Sequence, residues 1–275
     1  MMEFKAARGP RLSLDPTSVL DIRACVVEGT DLAPGRAIPD DGDPRIDHSL
    51  EGFLFTCGPD HIRHPERMEA RSERRYPLHG SFSGHAADLL DESLEDSADC
   101  RGRIAVALAN GGTAVMNRHW HIDAETGVVH LKDCVTNTSG EPFPGMLMYH
   151  INIGSKHFDD NTRLAGAMIE GGEIGWRFGD PAGGLFCVEA GHGGWAEVRL
   201  GPLARAGGKT LVVRFRTDTL PYLQVWHNQN DPAAVLGLEP VSHRMASRDE
   251  LAKRGELTML MPGETWDYAL QIAFV

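Results

Sequence analysis

The chain has 275 residues, with 27 Lys and Arg against 39 Asp and Glu, and a formal net charge of −12. That balance argues against a nucleic-acid partner, which needs a basic face, and gives no support for binding an anionic membrane. A hydrophobic share of 41% supplies a substantial core, and no run of about 18 apolar residues marks a membrane span.

Met1 to Arg8 lacks the apolar stretch of a signal peptide. Five scattered cysteines, Cys25, Cys57, Cys100, Cys134 and Cys187, form no C-x-x-C and read as reduced thiols. Together these predict a cytoplasmic protein. Residues 31–50, rich in Asp, Pro and Gly, predict a loop. Thr56-Cys57-Gly58 leads into a turn whose Asp60 and His61 suit sugar hydroxyls. Pro65 to Arg75 is charged and predicts a short surface helix or a loop. In Pro77-Leu78-His79-Gly80 the histidine is tied between a proline and a glycine. Such a position suits a placed hydrogen-bond donor, or simply a capped turn.

His119-Trp120-His121 with Glu125 has the H-x-H-x3-E order of cupin metal ligands. Both histidines fall on one strand face, and nitrogen and oxygen donors suit a transition metal. The flanking glycines, Gly112 and Gly127, do not follow the cupin spacing. The other reading is a solvent-facing strand that presents Arg118 and the histidines to water.

Val128 to Asp133, Leu211 to Arg216, Tyr222 to His227 and Trp266 to Phe274 tend to alternate and predict strands. So does Met146 to Ile153, with Leu147, Tyr149, Ile151 and Ile153 on an apolar face and Met146, Met148, His150 and Asn152 on the other. The second face describes a lined pocket, or a half-exposed face meeting water. Gln224 and Trp226 share a face, as suits stacking on a sugar ring or a core Trp. Pro240 biases Glu239 towards extended backbone. Leu236 and Leu238 beside it predict a partly desolvated carboxylate with a raised pKa; the alternative is an ordinary strand-end Glu. Ser247 to Glu250 has capping-box spacing before Leu251 to Arg254 and the stop Gly255, predicting one short helix. Many short strands between turn signals predict an all-β fold, a large antiparallel β-sandwich with few short helices. No domain boundary interrupts residues 1–275. No P-loop, G-x-G-x-x-G or G-x-S-x-G occurs.

The ordered set Leu78-His79-Gly80, His150 with Asn152, Leu238-Glu239-Pro240 and Leu260-Met261-Pro262-Gly263-Glu264 resembles the signposts of the aldose 1-epimerase, or galactose mutarotase-like, superfamily. Thr56-Cys57-Gly58 and Tyr149-His150-Ile151-Asn152 make the DUF4432 branch the nearest resemblance, from about residue 50 to the C-terminus. The resemblance implies a mutarotase-like supersandwich that holds a monosaccharide or sugar derivative in an open cleft, with no metal or organic cofactor. It implies His150 as general acid on the ring oxygen, Glu239 as base on the anomeric hydroxyl, and His79 assisting binding and polarisation. Asp60, His61, Asn152, Gln224 and Trp226 are the expected substrate-binding residues. The family's Asn-Arg-Ile signature before the first His is absent, and its sugar-binding Asp between the second His and the Glu has no counterpart. Lys156, Arg63 and Arg75 are cations able to contribute to a phosphate site, but no Arg/Lys cluster marks one. Two alternatives stay open: a sugar-binding protein without turnover, and a metal-dependent, cupin-like sugar isomerase on His119, His121 and Glu125.

Overall fold

Segments of alternating residues, cut at short intervals by Gly and Pro, form strands because each can bury one face. A computed structural model describes residues 1–35, 51–68, 73–94, 98–230 and 233–275. The expected loop over 31–50 lies mostly outside the described residues, and the Pro65 to Arg75 segment partly so. The described part of that segment forms an antiparallel bridge between Arg67 and Arg75, not a helix.

Among the described residues the strands build two large antiparallel sheets. The first runs β1 (Met2–Phe4), β2 (Arg11–Asp15), β3 (Asp21–Val27), β5 (Leu54–Cys57), β11 (Met148–Gly154), β18 (Val235–Val241), β17 (Tyr222–Asn228) and β14 (Gly183–Glu189), with β4 (Thr30–Asp31) beside β3. The second runs β13 (Glu173–Gly175), β12 (Arg163–Gly166), β15 (Trp195–Leu203), β16 (Lys209–Arg216), β20 (Thr265–Phe274), β9 (Val129–Asn137), β8 (Thr113–Ile122), β7 (Ala98–Ala107) and β6 (Ala87–Leu94). β10 (Phe143–Pro144) and β19 (Met259–Leu260) pair separately. The predicted helix is α1 (Arg248–Lys253), capped by Ser247, whose hydroxyl accepts from Glu250 N at 3.2 Å. The fold is thus the antiparallel sandwich expected, with little helix. No helix among the described residues is long and apolar enough to cross a membrane. None of the five cysteines forms a disulfide.

The main core lies between the sheets. Tyr149, Ile151, Ile153, Leu223, Val225, Leu236 and Leu238 of the first sheet join Met116, Trp120, Leu131, Val213 and Leu270 of the second. A second cluster covers the opposite face of the first sheet: Phe55, Cys57, Met148 and Val241, with Met146, Ile62 and Leu251 from neighbouring segments. The centre of this sheet is therefore buried on both faces, and β11 and β18 are buried at every residue. The His150 face of β11 lines an interior; it does not meet water as a half-exposed strand would.

Alternation along β8 sends Met116, Arg118, Trp120 and Ile122 inward and His119 and His121 outward. The expectation that Arg118 faces solvent with the histidines is therefore wrong: Arg118 is 1% exposed. All five of its guanidinium donors are used. Nε and Nη2 grip Asp133 of β9 at 2.9 and 2.7 Å, Nη1 reaches Asp21 Oδ1 at 2.9 Å and Val19 O at 2.8 Å, and Nη2 reaches Thr56 Oγ1 at 2.8 Å. Tyr149 donates to Asp133 Oδ2 at 2.7 Å. Burial raises the pKa of Asp21, and Arg118 and Thr56 oppose it. Arg118→Leu leaves two buried carboxylates without their cation and is expected to lower stability by about 3–5 kcal/mol. Urea unfolding checks this, and a loss near zero would show that the network does not hold the sheets together.

Candidate functional site

Register across the first sheet assembles the candidate residues in one row. Phe55 pairs with His150. The β11–β18 pairing of Met148 with Val241 and Ile151 with Leu238 sets His150 opposite Glu239. Glu239 pairs with Gln224, and Gln224 with Cys187. The adjacent row holds Asn152, Gly237, Trp226 and Leu185. Because side chains alternate, both rows lie on the face away from the main core.

His150 Nε2 lies 3.2 Å from Glu239 Oε1. The two residues are 4% and 1% exposed. The contact is not aligned as a hydrogen bond: Glu239 Oε1 and His150 Nδ1 have no hydrogen-bond partner among the described residues. Glu239 Oε2, by contrast, accepts from Gln224 Nε2. Gln224 Oε1 in turn accepts from Arg63 Nη2 at 3.3 Å, and that nitrogen also donates to His243 O at 3.2 Å. Burial raises the pKa of Glu239, against the pull of His150, Gln224 and Arg63. The direction matches the sequence expectation, but the cause does not. Leu236 and Leu238 point into the main core. The apolar cover on the carboxylate's own face comes from Phe55, Cys57, Met148 and Val241.

His79 sits in a turn at φ +60°, in the left-handed region. Its backbone N donates to Arg63 O and its carbonyl accepts from Gly58 N, both at 2.9 Å. Gly80 follows at φ +85°, where a Cβ would lie 2.1 Å from His61 O, so only glycine fits. The imidazole of His79 stands edge-on to His150 and Phe55, at centroid distances of 5.5 and 5.6 Å. Burial, then the neighbouring His150, pushes its pKa down to about 3, so the ring is neutral at pH 7. Nδ1 lies 3.2 Å from Ile62 O and must be the donor to that carbonyl, which leaves Nε2 with a lone pair. The structure therefore brings His79, His150 and Glu239 together from segments far apart in sequence.

Trp226 is half-buried and edge-on to His150 at 5.8 Å. It lies on β17, an inner strand. Asn152 is fully buried, donates to Gly52 O at 3.3 Å and leaves Oδ1 without a partner among the described residues. Asp60 is used differently from expectation. Its carboxylate accepts from Ser81 N at 3.1 Å, Ser81 Oγ at 2.7 Å and Ala109 N at 2.9 Å, bracing the turn that carries His79. His61 stacks on Tyr76 at 5.4 Å with Nε2 on His64 O at 2.7 Å. Arg63 and His243 reach this site unannounced by any local motif.

His119 and His121 lie on the outer face of the second sheet. Asp99 accepts from His119 Nε2 at 2.9 Å and from His121 Nδ1 at 3.2 Å. Glu125 sits in the following turn, where its backbone N donates to Asp123 Oδ1 at 3.2 Å. Among the described residues no group of three or more His, Cys, Asp or Glu side chains is arranged to hold a metal ion, so the cupin-like set is not assembled.

A family model described as a domain of unknown function, DUF4432, matches residues 1–171 and 186–274. The chain belongs to the DUF4432 family. No curated protein matches this DUF4432 chain. Solved structures resemble it over nearly all of its length. A candidate aldose 1-epimerase from Klebsiella pneumoniae is 18% identical, with 97% of this chain and 77% of that chain covered and a TM-score of 0.73. A galactose mutarotase-like protein from Lactobacillus casei is 14% identical, with all of both chains covered and a TM-score of 0.71. A galactose mutarotase related enzyme from Lactobacillus acidophilus is 10% identical, with 100% and 97% covered and a TM-score of 0.71. At such identities the likeness is one of fold: this DUF4432 chain has the mutarotase-like sandwich.

Gly237 keeps the two rows from filling. A Cβ there would lie 2.7 Å from Glu239 Oε1 and 3.0 Å from His150 Cε1. Gly237→Ala is expected to push the carboxylate away from His150, and a crystal structure of the variant with that distance still 3.2 Å would contradict this.

Burial also sets a pH dependence for the DUF4432 fold. It pushes His61, His157 and His243 down to about 4 and His79 to about 3, from an ordinary 6.5. The unfolded chain binds more protons than the folded one between these values, so stability falls as pH drops from about 6.5 towards about 4 and below. Glu239 and Asp21, whose folded values are raised, act in the opposite sense but are fewer. Urea midpoints between pH 7 and pH 4 are expected to decline; a flat series would sink the account.

Proposed function

We propose that this protein is an aldose 1-epimerase-like isomerase that interconverts the anomers of a monosaccharide or sugar derivative. The observation that carries the reading is the buried His150–Glu239 contact with one carboxylate oxygen left unbonded. The anomeric hydroxyl and the ring oxygen are bonded to one carbon, so a single carboxylate–imidazole pair reaches both. Glu239 takes the hydroxyl proton through Oε1, while His150 in its protonated form donates to the ring oxygen. The ring C–O bond breaks and the open-chain carbonyl forms. Rotation about C1–C2 presents the other carbonyl face. On reclosure the chain hydroxyl returns its proton to His150, and Glu239 returns a proton to the carbonyl oxygen.

His79, neutral, accepts from a sugar hydroxyl through Nε2. Trp226 stacks on the ring, and the unpartnered Asn152 Oδ1 accepts a hydroxyl. The mutarotase-like sandwich shared with the structural neighbours supports the reading at the level of the fold. A sugar-binding protein without turnover is the second reading, favoured by Asp60 and Gln224 being engaged by protein partners. NMR exchange spectroscopy between α and β anomers, over a panel of aldoses, uronates and deoxy sugars, separates the two. Wild type is expected to accelerate exchange on at least one sugar, and Glu239→Gln and His150→Asn are each expected to lose about 10²–10⁴-fold. Exchange that survives both substitutions would refute the acid–base assignment. Saturable binding without exchange would favour the second reading.

A further inference from the structure

We infer that Arg63 is a positioning residue that orients and holds ionised the base Glu239, acting through Gln224. The inference rests on the mutarotase reading of the Glu239 site. A guanidinium only donates, so the Gln224 atom 3.3 Å from Arg63 Nη2 is the amide oxygen. The amide nitrogen is then turned towards Glu239 and donates to Oε2. That bond is stronger to an ionised carboxylate than to the neutral acid, so it favours the charged form. It also fixes which oxygen remains for chemistry: Oε1, the one facing His150.

Without Arg63 the amide is free to turn over. Its oxygen would then face the carboxylate, an arrangement that suits only a protonated Glu239, which is no base. Arg63 is itself anchored. Nη2 also donates to His243 O, and its own carbonyl accepts from His79 N at 2.9 Å. One residue thus ties the His79 turn to the carboxylate.

The groups facing Glu239 come from every packed element: His150 on β11, Cys57 on β5, Cys187 on β14, Gln224 on β17 and Arg63 from the loop, with His79 beyond His150. Of these, Arg63 opposes the effect of burial on Glu239, together with His150 and Gln224, while the two cysteines are uncharged thiols raised by burial.

The test is a ¹³C NMR titration of the Glu239 side-chain carboxyl in wild type, Arg63→Met and Arg63→Lys, with Glu239→Gln identifying the resonance. The same proteins are profiled for anomer exchange against pH. In Arg63→Met the Glu239 midpoint is expected to rise, and the acid limb of the exchange profile to move up with it. Arg63→Lys restores the charge but not the fork, and is expected to bring the midpoint part-way back. An unchanged midpoint in Arg63→Met that unfolds like wild type would overturn the proposal. Should Arg63→Met not fold, Arg63→Lys carries the test: a raised midpoint supports the proposal and an unchanged one overturns it. A midpoint that rises in a protein with no exchange on any sugar removes the mutarotase reading and leaves the relay standing.

Discussion

The guanidinium of Arg118 is the interaction around which the two sheets are arranged. It starts on the second sheet, grips Asp133 beside it on β9, and crosses the core to Asp21, Val19 and Thr56 on the other side. Tyr149 of β11 closes the network on Asp133. A charge buried this deeply is tolerable only with every donor satisfied. The strands that carry its partners are therefore held in one relative placement, where apolar packing alone would tolerate slippage. Two carboxyl groups share one guanidinium inside an apolar core. Two hydroxyl donors, Thr56 and Tyr149, complete their hydrogen bonding.

The site inherits its order from this arrangement. Tyr149 and Thr56 face the core network, while their immediate neighbours His150 and Phe55 face the other side of the same sheet. Fixing the first pair fixes the second, because adjacent side chains on a strand point oppositely. The cross-strand row of Phe55, His150, Glu239 and Gln224 is then a consequence of register, and no flexible loop has to place either the imidazole or the carboxylate. His79 alone of the three proposed catalytic residues comes from a turn, and that turn is braced by Asp60 through Ser81.

The alternation of β11, β17 and β20 was legible because period-2 patterning reports directly on which face is buried. The position of Glu239 before Pro240 and of His79 before Gly80 was legible because those neighbours restrict the backbone. Arg118 was misread, although the signal was present. It lies in phase with Met116 and Trp120, which an inward face requires, and a charged residue in an inward phase implies a buried partner. That partner, Asp133, is the residue paired with it across β8 and β9. Arg63 and Gln224 were not legible as partners because 161 residues separate them and the bond depends on tertiary placement alone. The desolvation of Glu239 was read from its sequence neighbours Leu236 and Leu238, which alternation sends to the wrong face. The same face of β18, the adjacent β11 and β5 beyond it supply the cover instead. Local sequence reports on local backbone, but what surrounds a side chain in a sheet is set by other strands.

Glu239 shows why such a site is balanced and not maximally stable. A carboxylate buried without partners would take up a proton and cease to be a base. One paired on both oxygens would remain charged but bind protons too weakly to act near neutrality. Here one oxygen is hydrogen-bonded to Gln224, and the other stands 3.2 Å from His150 without alignment. Folding thus leaves a polar contact unmade at an atom where, on the proposed reading, a sugar hydroxyl makes it. The missing bond destabilises the empty protein and favours the occupied one, which is a physical basis for ligand affinity that needs no movement of the sheet.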